Sequence, residues 1–360
     1  MADPTHAIYS GRPRLEVAGQ NQPRLEQGLS RLEIVETIQG LYRCEAEFIN
    51  WGGGTRTPDF LYFDRTLLDF GKAFAVKLDT DVLFDGRIMA LEGSFPAGVP
   101  PLITVLAEDR FQDLRMTRRT RTFEDVSDAD AIRRIASDHG FTAEVSADGP
   151  TYKLLAQVNQ SDLAFLRERA RSIDAELWMD GAKLRVQSRA SRRASAITLT
   201  LGRELQSFHA TADLATQRTS VTANGWDVSA KTALQHEAGE SVIRGELNGD
   251  TSGVSILKSA IGERKEAVAH TVPLNTSEAQ SVAESYFKNC ARRFVICRGT
   301  ATTQAKLRVG ALVDLKALGP LFSGKYYVVE SRHLFDSTRG LRTEFTAERA
   351  GLGRAASPNG

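Results

Sequence analysis

The sequence predicts an α+β fold that is mostly β, in which two related β-barrel domains are separated by a small inserted α+β domain. Three observations predict it: short alternating strands at both ends of the chain, two amphipathic helices with a hairpin after them, and a β-rich segment that occurs twice. A length of 360 residues suits two or three domains. The predicted divisions are 1–114, 115–190 and 191–352, with a disordered tail at 353–360.

The first hundred residues predict strands. Residues 29–36, 41–49, 73–79 and 102–107 alternate apolar and polar positions and are bounded by Gly, Pro, Asp and Asn. A period of two is typical of a strand with one buried face. The glycines at 52–54 lie in a polar loop and lack the Gly-Lys-Ser/Thr that a phosphate-binding loop requires, so a flexible connection is predicted there.

The inserted segment, 115–190, changes to a helical pattern. Ser127, with Asp130 three residues later, predicts a capped helix start, and a second helix is predicted to begin at Ser161. Asp180-Gly181 between two apolar runs predicts a hairpin with a type I′ turn, because that turn needs positive φ angles. The insert is therefore predicted to contain two helices and one hairpin.

Strand patterns return after residue 190. They cover 197–201, 206–212 and 219–227, whereas 228–272 is polar and is predicted to form hairpins and a long loop. Asn275 then predicts the cap of a third helix. Cys290 falls on its apolar face, so this thiol is predicted to be a small buried residue.

An internal repeat is the most informative feature. The segment 70–110 has a counterpart about 240 residues later, at 309–349; both contain Leu-Phe-x-Gly, ending at Gly86 and Gly324, and both end in Ala-Glu. The pattern predicts two strands joined at a tight turn that holds the glycine at positive φ, followed by a further strand. Two copies of one β-domain are the favoured interpretation, and chance similarity between hairpins is the alternative.

The charge balance argues against nucleic-acid binding. Lys and Arg number 46 against 45 Asp and Glu, so no net positive field attracts nucleic acid or an anionic membrane. Two basic clusters lie at the predicted domain junctions: Arg115, Arg118, Arg119 and Arg121, and Arg189, Arg192 and Arg193. Because no aromatic residues are interleaved for base stacking, they predict solvated charge or intersubunit ion pairs rather than phosphate contacts.

Cysteine content and the N-terminus predict synthesis and assembly in a reducing cytoplasm. The three cysteines, Cys44, Cys290 and Cys297, form no CxxC pair and have no histidine at metal-ligand spacing. The N-terminus has no signal-peptide pattern, and no apolar run reaches the roughly 18 residues of a membrane span.

No residue is predicted to be catalytic, cofactor-binding or metal-ligating. The six histidines, His6, His139, His209, His236, His270 and His333, form neither HExxH nor HxH, and each is predicted to pack or to cap. The chain has no GxSxG nucleophile elbow, and its acidic residues are too scattered to indicate a carboxylate pair. We therefore expect no cofactor and no enzymatic activity.

Four stretches together resemble a known family. They are AEDRFQDL at 107–114, SDADAIRRIASDHGF at 127–141, the segment from QSDLAFLRERA to the Asp-Gly hairpin at 160–186, and GALVDLKALGPLFSGKYYVVESRHLF at 310–335. The chain resembles the phage late control D family, the baseplate hub proteins of contractile tails. This fold is shared by the upper part of the valine-glycine-repeat spike proteins of type VI secretion. The resemblance covers roughly residues 30–350.

The resemblance implies a structural hub and virion protein. In that family each subunit contributes two tail-tube-like β-barrels to a homotrimer, so six similar domains match a sixfold tail tube while the threefold whole seats a spike. The implied partners are a tail tube protein, a separate spike protein and baseplate wedge or tube-initiator proteins, in a virion tail or contractile injection particle. Helix 276–292 is implied to pack beside the second barrel. No oligonucleotide-binding barrel follows Arg349, which implies a separate spike.

Two other functions remain open: a tail-associated peptidoglycan hydrolase, and a monomeric binding adaptor that forms no ring. On the hub interpretation the important residues belong to the fold and its interfaces. Trp178 and the Asp-Gly turn are expected to fix the insert hairpin. Tyr326, Tyr327 and Phe335 are expected in the core, with intersubunit contact as the alternative.

Overall fold

The computed structural model describes residues 12–53, 57–147, 149–192 and 195–353. Strands dominate and helices are fewer, so the predicted class, α+β and mostly β, is confirmed. Four predictions fall outside the described residues in whole or in part: those for His6, for the third residue of the glycine run at 52–54, for Arg193, and for the disordered tail, of which 354–360 are not described.

The N-terminal part consists almost entirely of strands. Its elements are β1 (Arg14–Val17), β2 (Gln20–Asn21), α1 (Pro23–Gly28), β3 (Leu29–Thr37), β4 (Arg43–Ile49), β5 (Trp51–Gly53), β6 (Pro58–Phe60), β7 (Ala73–Leu78), β8 (Asp81–Ser94) and β9 (Leu102–Glu108). Along β9 every second residue is buried, as the alternating sequence pattern predicts for a strand with one face in a core.

The inserted segment contains α2 (Gln112–Arg115), β10 (Arg118–Ser127), α3 (Asp128–Asp138), β11 (Thr142–Val145), β12 (Thr151–Ser161), α4 (Asp162–Ser172), β13 (Ala175–Asp180) and β14 (Lys183–Ser188). Both predicted helix starts are confirmed. Ser127 and Asp130 form a reciprocal capping box, and the Ser161 hydroxyl accepts a hydrogen bond from the backbone of Ala164.

The predicted hairpin forms, but its turn lies one residue later. Asp180 pairs with Lys183, so the two loop residues are Gly181 and Ala182. Only Gly181 has a positive φ, +59°, whereas a type I′ turn needs positive φ at both central residues. The type I′ assignment is therefore wrong; positive φ at the first central residue alone is typical of type II′, where glycine is required.

The C-terminal part contains β15 (Ala196–Thr200), β16 (Leu205–Ala212), β17 (Ser220–Asp227), β18 (Thr232–Gly239), a 3₁₀ helix (Glu240–Glu246), β19 (Thr251–Ser252), α5 (Gly253–Ala260), β20 (Lys265–Val268), α6 (Thr276–Arg292), β21 (Val295–Thr302), β22 (Leu312–Lys316), α7 (Gly319–Phe322), β23 (Gly324–Asp336), β24 (Gly340–Arg349) and β25 (Gly351–Leu352). The third helix, α6, has the predicted bounds, and Asn275 caps it by accepting from the backbone of Glu278. It packs on β17 and β18.

Two predictions in this part are wrong. In 228–272 the predicted hairpin forms, since β18 pairs with β17, but the predicted long loop is wrong, because the segment includes helix α5, which Ser252 caps and whose Val254 and Leu257 are buried. The spacing of these two residues was the available signal, but the surrounding polar and glycine-rich sequence obscured it. Cys290 is only partly buried.

One sheet of 13 strands runs through both ends of the chain. Its order is β16-β21-β24-β23-β3-β4-β9-β8-β7-β1-β2, with β22 also pairing with β23 and β15 with β22. We define half I as β3-β4-β9-β8-β7-β1 and half II as β16-β21-β24-β23-β22-β15. The six strands follow the same spatial order in both halves. One pairing differs: β15 is parallel to β22, whereas β1 is antiparallel to β7.

Each half has its own apolar core. The core of half I includes Leu32, Phe48, Phe74 and Val105, and that of half II includes Leu199, Val313, Tyr326 and Phe345. A third core fills the insert between α3, α4 and its strands. A fourth lies where α6 packs on β17 and β18.

The prediction that Gly86 occupies a turn is wrong. Gly86 lies inside β8, opposite Phe74, and its φ is not positive. A Cβ atom there would collide with the backbone carbonyl of Glu108 and come within 2.6 Å of the Phe84 ring. Glycine is therefore required by close approach of the neighbouring strand, not by a turn conformation.

Gly324 does adopt a positive φ, +137°, but it is not in a tight two-residue turn. It begins β23, one residue after the short helix α7 ends. A Cβ would lie 3.0 Å from the Arg349 guanidinium, so both its φ and this contact favour glycine.

Candidate assembly interface

The two halves of the chain meet where β3 pairs with β23. The antiparallel register places Arg332 opposite Val35, His333 opposite Ile34 and Phe335 opposite Leu32. This pairing joins the strands of the two halves into one continuous sheet, although each half has its own core. It is the only direct strand contact between the halves among the described residues.

The junction buries polar side chains together with apolar ones. Ser331 and His333 are fully buried; the Ser331 hydroxyl donates to the carbonyl of Leu307, 2.7 Å away, and His333 Nδ1 lies 2.9 Å from Thr343 Oγ1. Burial lowers the pKa of His333 to about 4, so the imidazole is neutral at pH 7. His333 is thus a packed residue of a strand, as the sequence predicts.

Ion pairs cross the same junction. Arg332 Nη2 lies 2.6 Å from Glu33 Oε1, and Arg308 Nε donates to Glu36 at 2.6 Å. Burial acts to raise the pKa of Glu33, but the hydrogen bonds from Arg332 and Arg31 hold this pKa below its ordinary value. These contacts fix the register, since a slip of one residue would move each charge to the opposite face.

A buried cation contacts the insert and both halves. Arg192 Nη1 lies 3.0 Å from Glu176 of the insert, while Nη2 donates to Tyr42 Oη at 3.0 Å and to the Val309 carbonyl at 3.2 Å. The guanidinium carbon lies 4.0 Å from the Trp178 ring centroid. Because these partners come from the insert, half I and half II, Arg192 ties all three together.

The predicted basic clusters pair within the chain. Their ion pairs are Arg115 with Glu108, Arg119 and Arg121 with Asp162, Arg189 with Glu348, and Arg192 with Glu176. Arg118 donates to the carbonyl of Asn159. The prediction of solvated charge or intersubunit ion pairs is therefore wrong for Arg189 and Arg192, which are buried and pair inside one subunit.

The two halves match residue by residue across their third and fourth strands. Arg87 pairs with Glu108 in half I, and Tyr327 pairs with Glu348 in half II, an offset of 240. A β-bulge follows at the same point in each, at Met89 and at Val329. A shared bulge is strong evidence of equivalence, because it fixes the register locally.

Other details repeat as well. The backbone of Gly71 donates to Ile88, and that of Gly310 donates to Val328, with both glycines at positive φ. The repeated Gly71 and Gly310 of the sequence are therefore structurally equivalent, whereas the aligned Gly86 and Gly324 are displaced by two residues.

The first two strands of each half match too. Cys44 pairs with Ala107 on β9 and Cys297 with Ala347 on β24, so the two buried cysteines are equivalent. Strands β3 and β16 each carry a bulge, at Ser30 and at Gln206, against β4 and β21 respectively. β16 is therefore the counterpart of β3.

Within the described ranges, two strand edges have no partner where the equivalent edges are paired. Residues 330–336 of β23 pair with β3, but the equivalent residues 90–94 of β8 pair with β9 alone. Beyond its β21 pairing, β16 makes only an isolated bridge between Leu201 and Leu205 in the described chain. Open edges are templates for pairing with another chain.

An aromatic side chain marks the open edge of β8. Phe95 is 65% exposed, whereas its equivalent Phe335 is 5% exposed and packs with the core of half I. The Phe95 ring contacts Phe60 and Phe63, with centroids 6.2 and 5.5 Å away, and Trp51 extends the group. Exposed apolar clusters of this kind are typical of interaction sites.

The sequence repeat places phenylalanine at both equivalent positions but does not show that one of them lies at an open strand edge. Phe95 and Phe335 are identical residues 240 positions apart, but recognising an open edge requires knowing which strands pair. Tyr326, Tyr327 and Phe335 are all buried within the chain, as expected of core residues.

The described residues show no arrangement typical of a metal centre: no group of three or more His, Cys, Asp or Glu side chains could hold an ion. His139 lies 2.8 Å from Asp162, His236 is 3.8 Å from Glu284, and His270 contacts Tyr286. His6 lies outside the described residues. In the described part of the chain no helix is long and apolar enough to span a membrane.

A protein-family model described as the Alg8 N-terminal domain matches residues 56–336. The chain belongs to this family. The match includes strands β7–β9 of half I, the insert, and the C-terminal part as far as the end of β23. A search of curated protein sequences gives no match.

Solved structures share the fold of this Alg8 N-terminal domain family member. A 43 kDa tail protein of prophage MuSo2 from Shewanella oneidensis is 12% identical, with a TM-score of 0.69 over 94% of this chain and 98% of that one. A tail protein from Neisseria meningitidis is 13% identical, with a TM-score of 0.68 over 95% and 97%.

An Escherichia coli protein, described as a type VI secretion component similar to the T4 bacteriophage tail proteins gp27 and gp5, is 13% identical. Its TM-score is 0.58, over 96% of this chain and 80% of that one. At these identities the comparisons show a common fold. The family member therefore has the fold of tail-associated proteins.

Proposed function

We propose that the chain is the structural baseplate hub of a contractile phage tail or injection system, a homotrimer that joins a sixfold tail tube to a threefold spike. The observation that carries the proposal is the duplication: the same six-stranded arrangement occurs twice in one chain, with the same bulges and the same register. The phage late control D resemblance and the shared fold of tail proteins support it.

The duplication supplies the symmetry that such a hub needs. Three copies contribute six similar halves, and a heterologous contact repeated by rotation gives a closed ring. A sixfold tube can then meet six similar surfaces. A threefold spike can meet surfaces that occur once per chain, such as the insert and the α6 region.

The division into domains 1–114, 115–190 and 191–352 is part of this proposal. The cores of half I, the insert and half II support it, because each is a separate cluster of buried side chains. Half I nevertheless shares Phe335 and Leu341 with half II, so the two halves form one packed unit.

The proposed partners are a tail tube protein, a separate spike protein and baseplate wedge or tube-initiator proteins. The proposed role is structural, not enzymatic, and the proposed site of action is the tail baseplate or injection particle after assembly in the bacterial cytoplasm. The exposed aromatic group at Phe95 and the two open edges support assembly with other chains.

Light scattering tests the oligomeric state. The proposal expects a particle of three times the 39.5 kDa chain mass, in equilibrium with the monomer on dilution. A mass of one chain at every concentration, with the tube and spike proteins of the same particle present, would contradict the hub and favour a monomeric adaptor.

A further inference from the structure

We infer that the subunits join by adding the β16 edge of one chain to residues 90–94 of β8 in the next, with Phe95, which directly follows β8, as the apolar anchor. This inference rests on the proposed trimer and names the surface that closes it. Its template is the β3–β23 junction inside the chain, because β16 is equivalent to β3, and β8 to β23.

The equivalence specifies the register. Inside the chain Arg332 is opposite Val35, and Phe335 is opposite Leu32. Subtracting 240 from the β23 positions gives Glu92 and Phe95. Aligning the bulges of β3 and β16 makes Thr211 the equivalent of Val35 and Phe208 the equivalent of Leu32. Glu92 of one chain therefore lies opposite Thr211 of the next, and Phe95 lies opposite Phe208.

Acidic and basic residue types meet at both junctions, with their strands exchanged. Inside the chain, Arg332 on β23 pairs with Glu33, two residues from Val35 on β3. Between chains the equivalent of Arg332 is Glu92, and the equivalent of Glu33 is His209, which pairs across the sheet with Arg298. An acid on β8 thus faces basic side chains on β16 and β21, which favours this pairing.

The apolar side chains at the two open edges also favour this pairing. Phe208 and Ala210 of β16 are partly exposed, while their equivalents Leu32 and Ile34 are fully buried at the junction inside the chain. Phe95 likewise loses exposure only if a neighbour covers it. The open edges therefore lack what the closed junction has: a paired strand and an apolar partner.

Cysteine pairs test the register directly. In a Cys290→Ser background, which removes the partly buried thiol, Glu92→Cys and Thr211→Cys are placed on separate chains that are mixed and oxidised. Both residues are exposed, so folding should be unaffected, which circular dichroism checks. The register-shifted control mixes Glu92→Cys with Ser207→Cys, whose site lies four residues, or roughly 13 Å, further along β16.

The expected result is a disulfide-linked dimer from the Glu92→Cys and Thr211→Cys mixture, at least tenfold more than from either variant alone or from the shifted pair. A trimer by light scattering without that link, or equal linking of the shifted pair, would overturn the edge assignment and leave the hub proposal standing. A monomeric mass without links would contradict both. A chain with Glu92→Cys and Thr211→Cys together should give linked species of up to three chains.

Discussion

Phe335 of β23 lies directly opposite Leu32 of β3, so a side chain of half II completes the core of half I. Its counterpart Phe95, 240 residues earlier, is exposed. The same residue type therefore serves the fold at one position and is free for assembly at the other.

Phe335→Ala is expected to lower the free energy of unfolding by about 3–5 kcal/mol, because it leaves a cavity at the junction. Phe95→Ala should change the stability of the dissociated chain by less than about 0.5 kcal/mol and should reduce the trimeric fraction. Urea denaturation of dilute protein measures the first effect, and light scattering measures the second. Equal loss of stability in both variants would show that Phe95 serves the fold of the single chain.

Gly86→Ala is expected to destabilise the chain by about 1–3 kcal/mol, because the methyl group would collide with the Glu108 carbonyl and the Phe84 ring. Gly53→Ala is the matched control: Gly53 is also in a strand, but apart from Gly53 and its two chain neighbours no described residue has an atom within 4 Å of the position that its methyl group would occupy. Thermal unfolding compares the two. No difference between them would mean that β8 and β9 separate easily at Gly86.

Arg192→Met is expected to cost about 3–5 kcal/mol, because it leaves the buried Glu176 carboxylate without its cation. Adding Glu176→Gln should restore part of that loss, since no unpaired charge then remains. Urea denaturation of wild type, both single variants and the double variant gives the coupling energy. Simple additivity would show that Arg192 and Glu176 act independently.

His333 makes the junction sensitive to acid. Its pKa is about 4 in the folded chain against an ordinary 6.5, so the unfolded chain binds more protons between these values. The contribution of the neutral imidazole to the free energy of unfolding is therefore fully present above about pH 6.5. It falls as the pH drops towards 4, by up to about 3 kcal/mol. The charged groups that face it are Glu36 and Arg308.

His333→Gln should remove this component while keeping a hydrogen-bonding side chain next to Thr343. Urea denaturation at pH 7.5 and pH 4.5 should then show a smaller acid loss in the variant than in wild type. The difference between the two proteins isolates His333 from the other titrating groups. Identical losses would contradict a neutral, buried imidazole.

Local patterns predicted the elements well, because caps and alternation act over a few residues. Ser127, Ser161 and Asn275 each begin a helix where predicted. The turn at Gly181 and the role of Gly86 were mistaken, since both depend on which residues face each other across strands.

The interface needed the strand pairing as well. Sequence alone aligned Gly86 with Gly324, whereas the bulges at Met89 and Val329 establish an offset of 240 and thereby match Phe95 with Phe335. Helix α5 was missed because its short apolar face lies within a polar, glycine-rich segment.

Electron-microscopy class averages of the assembled protein test the central claim most directly. Three chains that each carry the same six-stranded half twice should give a ring of six similar lobes whose alternate lobes differ, so that the true symmetry is threefold. A ring with another number of lobes, or particles of a single two-lobed chain in the presence of its tube and spike proteins, would contradict the account.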